Sequence, residues 1–184
     1  MLAATDGGRD HLTPASAYDP ATGDTYVAWV VNQNVNLQSL HSLRVQRIDA
    51  AGQRRWGDNG IELVPPAIAT TGVNALVQPV VLPTPEGVIV AWQTGAIPAT
   101  AHPVRAQYVD RDGKPRWPAP VDIKTGATTT SRLTGANSHA GYAAFVWSDA
   151  PGFDEEGADV LGQNLVYDAG PEDILFADGF EGQE

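Results

Sequence analysis

Apolar residues along the chain fall into short runs, 5 to 8 residues long, rich in Val, Ile, Thr and aromatics and bounded by Gly, Pro, Asp or Asn. That is the pattern of strands and turns. One set of runs, Thr25 to Val31, Val88 to Trp92 and Tyr142 to Trp147, is apolar at nearly every position. A strand that does not alternate is covered by protein on both faces, so these runs are expected between packed sheets. A second set, Leu43 to Ile48, Val104 to Val109 and Val160 to Val166, leads into Asp-Ala-Ala-Gly, Asp-Arg-Asp-Gly and Tyr-Asp-Ala-Gly. Such Gly-containing links suit tight hairpins between antiparallel neighbours.

The same order of signals occurs three times. Gly23-Asp-Thr-Tyr-Val-Ala-Trp29 matches Gly87-Val-Ile-Val-Ala-Trp92 and, more loosely, Gly141-Tyr-Ala-Ala-Phe-Val-Trp147. Downstream, Gln46, Gln107 and Gln163 hold corresponding places, which gives a period near 60 residues from two independent landmarks. Trp56 and Trp117 each follow their glutamine by ten residues, and the third copy has no equivalent. A first strand (around Leu12 to Tyr18, Leu76 to Leu82 and Ser131 to Thr134) and a fourth (Gly60 to Val64 and Pro120 to Lys124) complete four antiparallel strands per period. A four-stranded sheet repeated radially is a propeller blade, which buries both faces only when neighbours flank it. The expected fold is therefore all-β, three propeller-like blades over residues 1–65, 66–126 and 127–172, with a tail at 173–184. Boundaries fall near Pro65-Pro66 and Gly126-Ala127.

These motifs resemble those of bacterial β-propeller repeat proteins: Val27-Ala28-Trp29, Gln46, Asp49 to Gly52 and Trp56, and again Val90-Ala91-Trp92, Gln107, Asp110 to Gly113 and Trp117. The resemblance covers about residues 10 to 170 and implies a fold, not an activity. The ending Ile174-Leu-Phe-Ala-Asp-Gly-Phe-Glu181 is similar to a terminal tail of exported Gram-negative proteins, which implies a secreted or surface-exposed protein whose signal peptide is missing from this chain. Asp110-Arg-Asp-Gly-Lys-Pro-Arg-Trp117 resembles the Asp-box of sialidases, with Asp and Gly one residue too far apart. Asp-boxes are structural turns remote from catalysis.

Composition narrows the partners. Gly 19 and Pro 14 in 184 residues leave little room for long helices. A net charge of −11 repels phosphate backbones and anionic membranes, so nucleic acid and membrane insertion are not expected. The absence of cysteine excludes disulfides, thiolate metal sites and cysteine nucleophiles. No 18-residue apolar run occurs, and the first residues lack a signal peptide's basic and apolar regions.

His41 and His102 hold the same place in two copies, each three residues before an arginine, Arg44 or Arg105. Imidazole and guanidinium together suit a carboxylate or sugar, so these four are the candidate ligand-binding residues, against a structural reading in which duplication copied a contact. The third copy has Ala158 and Leu161 there. Gln46, Gln107 and Gln163 lie within apolar strands and need partners for both amide ends, which inter-blade hydrogen bonds would supply. Asp154-Glu155-Glu156, with Asp149 and Asp159 nearby, is an acidic loop that suits calcium only in part, because the alternating ligand ladder is missing. No catalytic motif, metal motif or cofactor loop is present.

Three blades do not close a ring when 4 to 8 are usual. The remaining blades belong to a longer chain, or a homodimer supplies them, or the sheets close otherwise. The functional reading is a non-catalytic extracellular module that binds a protein or glycan through the loops Asn32 to Leu40, Gln93 to Ala101 and Ser148 to Ala158. A carbohydrate-active, sialidase-like hydrolase with an incomplete propeller is the alternative, and an inert spacer a third.

Overall fold

The computed structural model describes residues 3–5, 7, 9–68, 71–95, 102–126, 128–137, 141–150, 158–167 and 176–177. Among them there is no helix, only strands and turns. The chain forms three antiparallel sheets of four strands, each ordered as a meander. The first contains β1 (Asp10–Asp19), β2 (Asp24–Val35), β3 (Gln38–Ile48) and β4 (Ile61–Ile68). The second contains β5 (Val80–Thr84), β6 (Gly87–Gln93), β7 (Val104–Asp110) and β8 (Val121–Lys124). The third contains β9 (Thr129–Asn137), β10 (Tyr142–Ala150), β11 (Asp159–Val166) and β12 (Phe176–Ala177).

Equivalent residues pair alike in the three sheets. Trp29 lies opposite Arg44, Trp92 opposite Arg105 and Trp147 opposite Leu161, while Gln46, Gln107 and Gln163 face Val27, Val90 and Phe145. The first strands lie side by side, β1 against β5 and β5 against β9. Two apolar clusters fill the seams. Tyr26, Ala28, Val30, Leu43 and Val45 pack on Val88, Val90 and Trp92 between the first and second sheets. Ile89, Ala91, Ala106 and Tyr108 pack on Ala143, Phe145 and Trp147 between the second and third. Strand alternation sends successive side chains to opposite faces, so the middle sheet serves both clusters and β6 is buried at all 7 positions. In β10, by contrast, buried positions alternate with more open ones, because nothing described covers its second face.

The Asp-x-x-Gly turns do not lead directly into the fourth strands. Asp49 Oδ1 accepts hydrogen bonds from the Ala51 and Gln53 amides, and Asp110 Oδ1 does the same for Asp112 and Lys114. Each turn then folds back on its own third strand, through the bridges Ile48 to Arg54 and Val109 to Pro115, before Trp56 or Trp117 is inserted into a seam. Gly113 (φ +85°) packs on the Trp56 ring, where a Cβ would meet the indole at 3.0 Å. Gly87 closes the two-residue turn after Thr84, and a Cβ there would collide with the Val109 carbonyl.

Three expectations change. Gln46 and Gln107 bond mainly within their own sheets: Gln46 Nε2 donates to the Gly57 carbonyl (2.8 Å) and its Oε1 accepts from the Trp56 amide (2.9 Å), while Gln107 Nε2 donates to the Trp117 carbonyl (3.3 Å). These two hold the tryptophan-bearing link, not a neighbouring sheet. β4 runs straight through Pro65-Pro66, so the first sheet ends later than that boundary. Both prolines are exposed on an edge strand, at a register irregularity between the Leu43–Val64 and His41–Ala67 pairs, where a missing N–H costs no ladder bond. Residues 176–177, inside the stretch set apart as a tail, pair with β11 as the third sheet's fourth strand. The acidic segment at 154–156 lies outside the described residues.

Candidate functional site

The four residues singled out by repeat position do not converge. Three residues apart on an extended strand means opposite faces, because side chains alternate with period two. His41 lies at the seam between the first and second sheets, its Nδ1 3.1 Å from the carbonyl of Val73 in the link toward β5. Arg44 is on the other face with Trp29, donating to the Asn59 carbonyl (3.3 Å) and lying 3.5 Å from Glu62. His102 is buried at the seam between the second and third sheets, with Nδ1 2.8 Å from Gln93 Nε2. Arg105 again faces away, its Nε donating to Asp122 at 2.7 Å. Both histidines thus anchor the path to the next sheet, His41 directly and His102 through Gln93, whose Nε2 also donates to the Thr130 carbonyl (2.7 Å). Both arginines pair across to the fourth strand.

His102 belongs to a buried polar cluster that sequence reasoning missed. Lys124, 7% exposed at the end of β8, donates through Nζ to the Thr128 carbonyl (2.9 Å) and to Thr130 Oγ1 (2.7 Å). It forms an ion pair with Asp149 Oδ1 at 2.9 Å. Thr128 Oγ1 also donates to Asp149 at 2.9 Å. Because Gln93 Nε2 must donate to both Thr130 and His102, the geometry makes His102 Nδ1 an acceptor and places its proton on Nε2. Gln93 Oε1 is buried with no partner, and so is the Trp147 indole N–H. The cluster ties β6, β8, β9 and β10 together, and every charge in it is matched, which is what a water-poor seam demands. The sequence had marked two of its members for other reasons, His102 by repeat position and Asp149 beside the acidic loop, and Gln93 is a carboxamide directly after an unbroken apolar run. Among the described residues no group of three or more His, Asp or Glu is placed to hold a metal ion.

A third feature is on the surface. The connection from Asn32 to Leu40 is not a loop. β2 and β3 continue as a ladder to the Val35–Gln38 pair, closed by Asn36 (φ +50°) and Leu37 (φ +64°). Two successive left-handed residues make the tight turn that matches strand twist. Asn suits that conformation, whereas Leu in it costs about 1 kcal/mol or more. Leu37 is nonetheless fully exposed, with Val35 open beside it. The tip from Asn34 to Ser39 is exposed throughout and carries only carboxamides, a hydroxyl and two aliphatic side chains. The equivalent strands of the second sheet, 7 residues each, are shorter than the 12 and 11 of this arm.

No protein-family model matches the chain, and no curated protein matches it in sequence. Among solved structures, the fold is similar to that of an N-acetylgalactosamine deacetylase from F. plautii, crystallised with blood group B trisaccharide. The TM-score is 0.58 at 8% sequence identity, and the likeness covers 88% of this chain. At that identity what is shared is the fold, and this chain spans 53% of that structure's length.

Proposed function

We propose that this chain is a non-catalytic, β-propeller-like interaction module that binds a glycan, or a protein carrying one, through the tip of the β2–β3 arm. The observation that carries the reading is Leu37, an aliphatic side chain fully exposed at a backbone position that disfavours it. Strain kept at a place where it serves no packing is a mark of function. Carboxamides at Asn34, Asn36 and Gln38 supply donors and acceptors for sugar hydroxyls, and Val35 with Leu37 supplies apolar surface for the C–H face of a ring. Three meandering sheets with adjacent first strands support the propeller-like description, and the structural neighbour's trisaccharide supports the ligand class. In this reading the module works outside the cell or on its surface, as the tail resemblance implies, and needs no cofactor.

A glycan microarray that includes N-acetylgalactosamine-terminated and blood-group oligosaccharides tests it. The chain is expected to bind a subset, and Leu37→Gly, which relieves the strain and removes the side chain, is expected to abolish that binding without loss of folding. Binding unaffected by that change would overturn the assignment of the arm. The neighbour's enzymatic description favours a second reading, carbohydrate-active hydrolysis. Release of acetate or sugar from the bound glycan would establish it and displace the non-catalytic one.

A further inference from the structure

The third sheet exposes a face that its counterparts bury. Strand pairing places Val146 opposite Gly162 and Ser148 opposite Val160, with Thr134 next to Val146. By repeat position Val146 corresponds to Ala28 and Ala91, and Val160 to Leu43 and Val104. Those four are 0% exposed, whereas Val146 is 38% and Val160 78% exposed. In the first two sheets this face rests on the tryptophan side of the next sheet, at Trp92 or Trp147. The remaining tryptophan side is that of Trp29 (3% exposed), Val27 and Val31 (1%) in the first sheet, on which, among the described residues, Ala3 and Ala4 pack, with His11 beside Trp29. That cover is held by a 2.9 Å bond from the Thr5 amide to Asn59 and a 3.5 Å contact from Gln46 to the Ala3 carbonyl.

Charge decides between two ways of hiding the open face. All eleven Lys and Arg lie at or before Arg132, together with eleven of the acids, so residues 1–132 are formally neutral. Residues 133–184 carry the other eleven acids and the whole net charge of −11. The described positions of the open face, Thr134, Ala144, Val146, Val160, Gly162 and Asn164, are themselves uncharged. Two third sheets face to face would set −11 against −11, whereas a third sheet against a first sheet meets a neutral partner. A contact between unlike faces makes either a closed ring or an open polymer.

We infer that the Val146–Val160 face of one chain docks on the Trp29 face of a second copy, head to tail at both ends, so that two chains of three sheets close a six-sheet ring. Each contact repeats the sheet-on-sheet packing that the chain makes twice within itself, and residues 3–5 shift to admit it. Six lies within the usual range for closed propellers. This inference is independent of the glycan reading, since the arm and the open face share no residue.

Sedimentation equilibrium from low micromolar to millimolar concentration tests it. The chain is expected to reach twice the 19.4 kDa of one copy. Val146→Glu with Val160→Glu, placed at open positions, is expected to keep the circular dichroism spectrum and weaken pairing by about a hundredfold or more. A monomer throughout, a ladder of masses above two chains, or a double variant that pairs as the parent does would each overturn the ring. Because the chain has no cysteine, Val160→Cys offers a separate readout. Head-to-tail pairing keeps the two thiols apart, so no disulfide-linked dimer forms on oxidation, and efficient self-cross-linking would mean that like faces meet.

Discussion

The two seams join sheets of the same design but close their polar ends differently. Between the first and second sheets the charged contacts gather at the end bearing the Asp-x-x-Gly turns. There Trp56 Nε1 and Arg47 Nη1 both donate to the Arg111 carbonyl (3.1 and 2.8 Å), and Arg47 pairs with Asp24 at 2.7 Å. Arg111 is partly open and lies 3.8 Å from Asp19. Between the second and third sheets they gather at the opposite end, in the buried Lys124–Asp149 cluster. Water reaches the first set through its arginines, while Asp24 and Asp19 are as buried as Lys124 and Asp149. The second set has only its own members as partners. The difference lies in the cations: Arg47 (18% exposed) and Arg111 (36%) are open enough to be rehydrated in part when their acid is removed, whereas Lys124 (7%) is not.

The largest expected effects probe what the seams share. Trp117→Ala and Trp56→Ala each remove a buried indole and are expected to cost about 3 to 5 kcal/mol in urea unfolding. If either cost less than 1 kcal/mol, the two inserted tryptophans would not be equivalent. The contrast itself is sharpened by the ion pairs. Asp149→Ala is expected to cost about 3 kcal/mol or more and the joint change Lys124→Met with Asp149→Leu much less, since it leaves no stranded charge. Asp24→Ala, which leaves the more exposed Arg47 in place of a buried lysine, is expected to cost about 1 to 2 kcal/mol. Equal losses at Asp24 and Asp149 would break the comparison. Gln46→Leu strands the Trp56 amide and Gly57 carbonyl and is expected to cost about 1 to 2 kcal/mol.

The smallest effect at neutral pH is that of Tyr26→Phe. Tyr26 is fully buried in the first seam with its hydroxyl unpartnered, and burial pushes its pKa up to about 12, with Arg47 opposing and Asp24 reinforcing the rise. An unfolded tyrosine ionises near pH 10. Between those values the unfolded chain loses a proton that the folded chain keeps, so stability falls as pH rises through the window. Unfolding free energies at pH 9 and pH 11 are expected to drop less in Tyr26→Phe than in the parent.

Strand positions were legible because burial imposes residue type locally. The apolar run before Trp92 needs no further information to be read as a strand covered on both faces, and β6 is buried along its whole length. The same reasoning applied to Tyr142 to Trp147 anticipated two covered faces and found one, because covering a face depends on a neighbour, not on the strand's own residues. Pro65-Pro66 looked like a boundary, since proline breaks ladders, but on an edge strand the breakage has no consequence. His41 with Arg44 looked like a pair because they are close in sequence, and the two-residue period of a strand sends them to opposite faces. Asp149 was read only as a neighbour of the acidic loop and Lys124 gave no signal, since 25 residues separate them and their meeting depends on how two sheets stack.

The sequence by itself determined where the chain pleats and turns, because side-chain size, polarity and backbone preference act within a few residues of where they occur. Only the tertiary structure decided which faces are covered, which charges meet in the dry seam and which strand end stays open at Leu37. Those outcomes depend on distances between parts of the chain far apart in sequence, and on the water each contact excludes.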